Sequence, residues 1–278
     1  MASGMSRQLS LGFSPCPNDT YIFYAMAQRI VSDSALGFST CIDDVEALNN
    51  MAIKGTLDIT KLSFHAYAYV AREYELLESG SALGRGCGPL LIARKGAYLK
   101  SLKHARVAIP GKYTTAFFLL QLYEALEHPF DFTSSAVMPF HQIMAAVSNG
   151  TVDCGIIIHE GRFTYPLYGL IEIIDLGAWW ERLTGRLIPL GGIFAKKALG
   201  ASIIEKTTAL IIRSLQYAKY NKEETLRYVK QSAQELSDEV IMQHIALYVN
   251  NYTERLDAEA TAAIETFLHM GYKHGIFK

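Results

Sequence analysis

One four-residue phrase occurs twice in this chain, as Gly55-Thr-Leu-Asp58 and as Gly150-Thr-Val-Asp153. Each copy follows a stretch of helical character and opens an apolar stretch that reads as a strand. A second echo pairs Pro89-Leu-Leu-Ile-Ala-Arg-Lys95 with Gly192-Ile-Phe-Ala-Lys-Lys197. Together they predict two similar α/β lobes, with the second pair acting as two strands that cross between lobes. Lobe one is then discontinuous, residues 1–94 and 196–278, and lobe two is residues 95–195.

The remaining elements fit that plan. Residues 8–13 read as a strand, and Ser14-Pro-Cys-Pro-Asn-Asp-Thr20 follows with helix-initiation chemistry for a helix to about residue 31. A helix over 44–54, a strand over 57–62 and a helix over 65–74 come next. The glycine-rich segment 80–88 predicts a loop, feeding a strand over 89–95. In the middle third, a strand over 106–111 leads to an apolar helix over 116–126. A helix ending at Asn149-Gly150 then precedes a strand over 151–158. Its Cys-Gly-Ile-Ile-Ile run suits a strand covered on both faces, as in a parallel sheet. After Lys197 the pattern is wholly helical, over 203–219, 222–234, 237–250 and 258–272. These helices are predicted to pack back onto lobe one.

Composition narrows the partners. Half of the 278 residues are apolar and 19% are charged, which predicts a large packed core. Lys plus Arg number 26 against 27 Asp plus Glu, so no basic excess exists to neutralise a nucleic-acid backbone. The apolar runs at 116–120 and 156–158 are far too short to span a bilayer. Residues 1–10 lack the charged-then-apolar pattern of a secretion signal, which predicts a cytoplasmic chain. Cys16, Cys41, Cys87 and Cys154 are scattered without a C-x-x-C pair, so reduced thiols are expected. No His-Glu-x-x-His and no clustered acidic ligands appear, so no metal is expected.

Two lobes joined by crossing strands enclose a cleft able to take a small molecule, at the carboxyl ends of the strands. That rule nominates four stretches: 14–20, 61–65, 111–115 and 159–162. His159 directly follows an apolar strand, where an imidazole can accept a proton near neutral pH. The alternative is a buried histidine bonded to backbone. Strand alternation turns Glu160 away from it, so no His–Glu dyad is expected. Lys61 and Ser63 share one face of the matching strand in lobe one. The lysine would grip a carboxylate there, or else lie in solvent, as most lysines do. Thr114 and Thr115 open a helix after Pro110-Gly111. They either cap it or help its N–H groups cradle an anion. A carboxylate is the better guest, because Gly-x-x-x-x-Gly-Lys is absent. Gly84-Arg-Gly-Cys-Gly88 lacks dinucleotide-motif spacing, so its glycines read as hinge or turn residues. Trp179 and Trp180 either pack on an aromatic substrate or, as most such residues do, in the core or on the surface, and Cys16 and Cys87 have no adjacent base to make them nucleophiles.

Several of these stretches, taken together, resemble the 1,4-dihydroxy-6-naphthoate synthase family of the futalosine route to menaquinone. They are Ser14-Pro-Cys-Pro-Asn-Asp-Thr20, Lys61-Leu-Ser63, Gly80-Ser-Ala-Leu-Gly-Arg-Gly86, Pro110-Gly-Lys-Tyr-Thr-Thr115, Ile157-Ile-His-Glu160, Arg162-Phe-Thr-Tyr-Pro166 and Asp175-Leu-Gly-Ala-Trp-Trp180. The resemblance runs from residue 9 to about residue 250. It implies a two-lobed periplasmic-binding-protein-like fold of type II with two crossing strands. It also implies cleavage of cyclic dehypoxanthine futalosine to 1,4-dihydroxy-6-naphthoate, with loss of a three-carbon fragment and no metal or organic cofactor. His159 takes the proton-acceptor role by motif match. Lys61-Leu62-Ser63 and Thr115-Ala116 take substrate contacts, and Asn49 matches a position near the ligand. Lys112-Tyr113 departs from the Arg-His pair common in the family. Two other readings compete: a non-catalytic solute-binding protein of the same fold, and a chorismate dehydratase of the same pathway. The His-Glu-x-Arg-Phe-Thr-Tyr-Pro stretch points away from the dehydratase.

Overall fold

A computed structural model describes residues 7–98, 102, 104–127, 134–233 and 237–277. The chain divides into two compact units, one formed by the chain up to Ala82 with Gly191–Asp257, the other by Leu83–Leu190 with the chain from Ala258 onward.

Unit one opens with β1 (Arg7–Phe13), α1 (Pro17–Ala27), β2 (Leu36–Ile42), α2 (Val45–Ile53), β3 (Ile59–Ser63), α3 (Phe64–Val70) and β4 (Tyr74–Leu76). The short strand β5 (Ala82–Gly84) lies where the chain leaves this unit. Unit two continues with β6 (Leu90–Arg94), β7 (Arg106–Ile109), α4 (Thr115–Glu127), β8 (Ser134–Val137), α5 (Phe140–Ser148), β9 (Cys154–Ile157), α6 (Gly161–Thr164), β10 (Leu170–Asp175) and α7 (Leu176–Thr184). The strand β11 (Ile188–Lys196) carries the chain back, followed by α8 (Ala201–Tyr220), α9 (Lys222–Ser232), α10 (Asp238–Tyr248), α11 (Asn251–Glu254) and α12 (Ala258–Lys273).

The first sheet has the order β2-β1-β3-β11-β4, with β5 also paired to β11. β1 runs parallel to both β2 and β3, while β11 is antiparallel to β3. The second sheet has the order β10-β6-β9-β7-β8, with β7 parallel to β8 and β9. In each unit the parallel strands bring their carboxyl ends to one sheet edge, and those edges carry the nominated stretches.

The repeated phrase does the same job in both units. Gly55 and Gly150 take left-handed backbone angles at the ends of α2 and α5, where a side chain would be strained. Asp58 then accepts the backbone N–H of Ser10 on β1 (3.0 Å), and Asp153 accepts that of Arg106 on β7 (2.8 Å). Each carboxylate thus ties the strand it introduces to its parallel neighbour.

Several boundaries differ from expectation. The predicted crossing strand at 89–95 is β6, held within the second sheet by β10 and β9; the segments that bridge the units are β5 and β11. The glycine-rich loop therefore hides a strand, and the lobe boundary falls at residue 82, not 94. The helix expected over 65–74 stops at Val70, and Tyr74 begins β4, where its hydroxyl donates to the Leu57 carbonyl (2.5 Å). The helices α8, α9 and α10 cover α1 in unit one, as expected. The last helix does not: α12 belongs to unit two, where Phe267 packs on Phe118 and Trp180. An amphipathic pattern shows that a helix has a buried face but not which core it joins. Residue 234, the expected end of one helix, and residues 1–6 lie outside the described residues.

Gly88 and Gly177 explain part of the glycine-rich segment. A Cβ on Gly88 would lie 2.3 Å from the Gly177 Cα, so both must lack side chains where these backbones touch. No helix among the described residues is long and apolar enough to cross a membrane.

Candidate active site

At the unit-one edge, α2 starts at Asp44, whose carboxylate accepts from the N–H groups of Glu46 and Ala47. This cap fixes Asn49 one turn on, fully buried beside the end of β3. The Asn49 Oδ1 accepts from the Ser63 N–H (3.1 Å), and its Nδ2 donates to the Ser63 Oγ (3.3 Å). Ser63 in turn caps α3, accepting from the Ala66 N–H. Leu62, beside Ser63 in β3, has no exposed surface and is paired with Gly192 of β11.

Lys61 is not a solvent lysine. Its ammonium donates to the Asp19 Oδ1 at 2.7 Å, and the two side chains are 8% and 1% exposed. Opposite, a Cβ on Gly191 of β11 would lie 3.2 Å from the Lys61 Cε and 2.6 Å from the Leu62 carbonyl oxygen. Bare backbone at Gly191 is what gives the lysine stem its path. Asp19 lies in the nominated stretch 14–20, where the sequence gives it helix-initiation chemistry and no partner. Nothing in the sequence pairs it with a lysine 42 positions later.

At the unit-two edge, β7 leads through Gly111 into Thr114, which precedes α4. The Thr114 hydroxyl donates to the Gly111 carbonyl (2.9 Å) and accepts from the Phe117 N–H (3.2 Å), so this threonine caps the helix. The Thr115 hydroxyl donates to the Leu190 carbonyl (2.7 Å). Both hydroxyl protons are therefore directed at protein carbonyls. What this edge offers an anion is the backbone N–H of Thr115 and Ala116, which a helix start leaves without intrahelical acceptors.

His159 lies beyond β9 on the same edge, partly exposed, with φ +57°. Such a left-handed conformation is unfavourable for a non-glycine residue and recurs at functional sites. Its ring and that of Phe140 form a T-shaped pair, centroids 5.1 Å apart at 67°. The alternation argument for Glu160 fails here because the strand ends at Ile157. Glu160 is the buried cap residue of α6.

The turn is clamped by Arg162. Its N–H donates to the His159 carbonyl (3.3 Å), while the guanidinium donates to the Gly88 carbonyl (2.6 Å) and to the Asp175 Oδ2 (2.5 Å). The other Asp175 oxygen caps α7 through the Ala178 N–H (2.9 Å). Arg162 was visible in the sequence as part of a motif, but its partners were not.

Other candidates resolve as packing. The Trp180 indole donates to the Leu187 carbonyl and that of Trp179 to Glu127. Burial, with the nearby Glu181 charge adding to it, pushes the Cys87 thiol up to about 12, and burial with Asp153 does the same for Cys154. Such thiols stay protonated at neutral pH. Among the described residues, no three His, Cys, Asp or Glu side chains are grouped to hold a metal ion.

Comparison with known proteins places the chain in a family. The family model described as menaquinone biosynthesis matches residues 9–273. A 1,4-dihydroxy-6-naphthoate synthase of Thermus thermophilus is 47% identical over 256 residues, covering 92% of this chain and 91% of its own. The enzyme of the same name from Streptomyces coelicolor is 40% identical over 268 residues, covering 96% and 94%. A solved structure of an Archaeoglobus fulgidus protein is 32% identical and superposes with a TM-score of 0.90, covering 98% of this chain and 99% of that one. The alkanesulfonate-binding protein SsuA of Xanthomonas axonopodis pv. citri gives 0.73 at 13% identity, covering 98% and 94%, a likeness of fold alone. The fold is the periplasmic-binding-protein-like α/β fold expected.

Proposed function

The chain belongs to the menaquinone-biosynthesis family of 1,4-dihydroxy-6-naphthoate synthases, and from that premise we propose that it is a carbon–carbon lyase that cleaves cyclic dehypoxanthine futalosine to 1,4-dihydroxy-6-naphthoate, with His159 as the general base. The observation that carries this reading is His159 itself, an imidazole held in a left-handed turn at a strand-end edge. An ordinary packing histidine does not need that conformation.

His159 would take a proton from the hydroxyl-bearing centre of the substrate. The electron pair released then drives a retro-aldol-like break of the neighbouring carbon–carbon bond, and aromatisation of the ring draws the reaction forward. Within unit one Lys61, Ser63 and Asn49 are assigned to substrate contacts, and within unit two so is the helix start at Thr114, Thr115 and Ala116. Chemistry of this kind asks the protein for a base, an anion grip and exclusion of water. The chain is expected to act in the cytoplasm on a small-molecule carboxylate, without nucleic-acid or membrane partners and without a cofactor.

The direct test is incubation with cyclic dehypoxanthine futalosine and detection of the naphthoate; folded protein that forms none would refute the assignment. His159→Ala should lower turnover by about 10²–10⁴ while leaving substrate affinity nearly unchanged. Equal loss of binding and turnover would instead favour a non-catalytic solute binder of the same fold.

A further inference from the structure

The motif Ser14-Pro-Cys-Pro-Asn-Asp-Thr20 has no part in the proton transfer, yet it builds a carboxylate that accepts four hydrogen bonds. The Asp19 Oδ2 accepts from the Ser14 N–H (3.1 Å) and the Ser14 hydroxyl (2.7 Å). Its Oδ1 accepts from the Asn18 Nδ2 (2.8 Å) and the Lys61 ammonium (2.7 Å). Four donors on a buried carboxylate are the condition under which a buried charge is tolerated.

The chain of bonds has a direction. An ionised Asp19 can only accept, so the Asn18 amide must turn its NH₂ towards it and its Oδ1 outward. That Oδ1 lies 3.0 Å from the Nε2 of His244, on α10. His244 must therefore donate from Nε2, and α10 reaches the strand-end edge through two side chains. On the other side, an ammonium has three donors, and among the described residues Asp19 is the only hydrogen-bond acceptor of the Lys61 Nζ. A buried ion pair contributes little to stability compared with apolar packing of similar size. What it does is fix where a charge points.

We propose that Asp19, oriented by Asn18 and His244, is a positioning residue that aims the Lys61 ammonium so that its two remaining N–H groups receive an anionic substrate oxygen. The proposal rests on the reading of Lys61 as a substrate contact.

The test has one arm that needs no substrate. In ¹⁵N-labelled ligand-free protein, the Lys61 ammonium should give a slowly exchanging signal that Asp19→Asn removes. In steady-state assays with cyclic dehypoxanthine futalosine, Asp19→Asn should raise KM about tenfold to a hundredfold, with a smaller change in kcat. His244→Leu should move both readouts the same way, while His244→Gln, whose amide can still donate to Asn18, should restore them to near wild type. The His244 pair decides the matter if Asp19→Asn does not fold. Unchanged KM and an unchanged ammonium signal in Asp19→Asn would overturn the proposal, as would His244→Gln behaving like His244→Leu. Wild-type protein that turns nothing over, yet whose ammonium signal responds as expected, would sink the assigned substrate and leave the positioning of Lys61 standing.

Discussion

At the scale of single residues, the two edges use their side chains differently. Lys61 is a buried charge whose geometry is set by a carboxylate, whereas His159 is a partly exposed ring whose geometry is set by its own backbone. Just after the left-handed turn at His159, Arg162 ties α6 to the Gly88 carbonyl and to Asp175. The planar guanidinium serves the two acceptors from two separate nitrogens held in a fixed fork, a geometry the single nitrogen of a lysine does not reproduce. Arg162→Lys should therefore lower kcat about tenfold through loss of His159 placement, with little change in KM, and the split is read from steady-state kinetics. The thiols belong to this scale too. Cys87 and Cys154, both pushed to about 12, should resist iodoacetamide at pH 8 in the native protein and react once it is unfolded, which peptide mass spectrometry resolves.

Among elements, the pairing of β1 with β3 and of β7 with β9 carries the most information. Each register is pinned by an aspartate from the repeated phrase, Asp58 or Asp153, and this pinning brings the nominated loops to the same edge. Burial pushes the Asp58 carboxyl up, but the two hydrogen bonds from Ser10 and the Lys196 ammonium pull it further down, leaving it below its ordinary 3.8. A carboxyl depressed in the folded state contributes stability that is fully present above the unfolded value and is lost as pH falls through the folded one. Asp58→Asn should therefore destabilise the protein at neutral pH, and its deficit against wild type should shrink below about pH 3.8 in urea unfolding series.

For the whole molecule, the decisive fact is that the final helix changes units. The chain leaves unit one after Asp257, and α12 completes the core of unit two. Phe267 is fully buried there, its ring centroid 4.1 Å from that of Phe118 and 5.8 Å from that of Trp180. Phe267→Ala should cost about 3–5 kcal/mol by loss of packing and the cavity left behind. Hydrogen exchange should then rise in α4 and α7, with α1 and α8 less affected; a uniform rise across both units would contradict the division.

The sequence by itself determined what depends on local chemistry. Glycine followed three residues later by aspartate at 55–58 and 150–153 marked two equivalent helix-to-strand joints, because glycine takes the left-handed helix end without strain and the carboxylate reaches the backbone of the parallel neighbour. The apolar run ending at Ile157 placed His159 at a strand end, and Lys61 and Ser63 were legible at the matching position. Tertiary structure alone decided the rest. Asp19 and Lys61 are 42 residues apart, Asn18 and His244 are 226 apart, and Arg162 meets Gly88 across 74. No period or motif encodes such distances, since they depend on how the sheets order their strands and where each helix finds a core. The same limit misassigned α12 and β6: amphipathicity fixes which face is buried, while the partner that buries it is chosen only when the whole chain is packed.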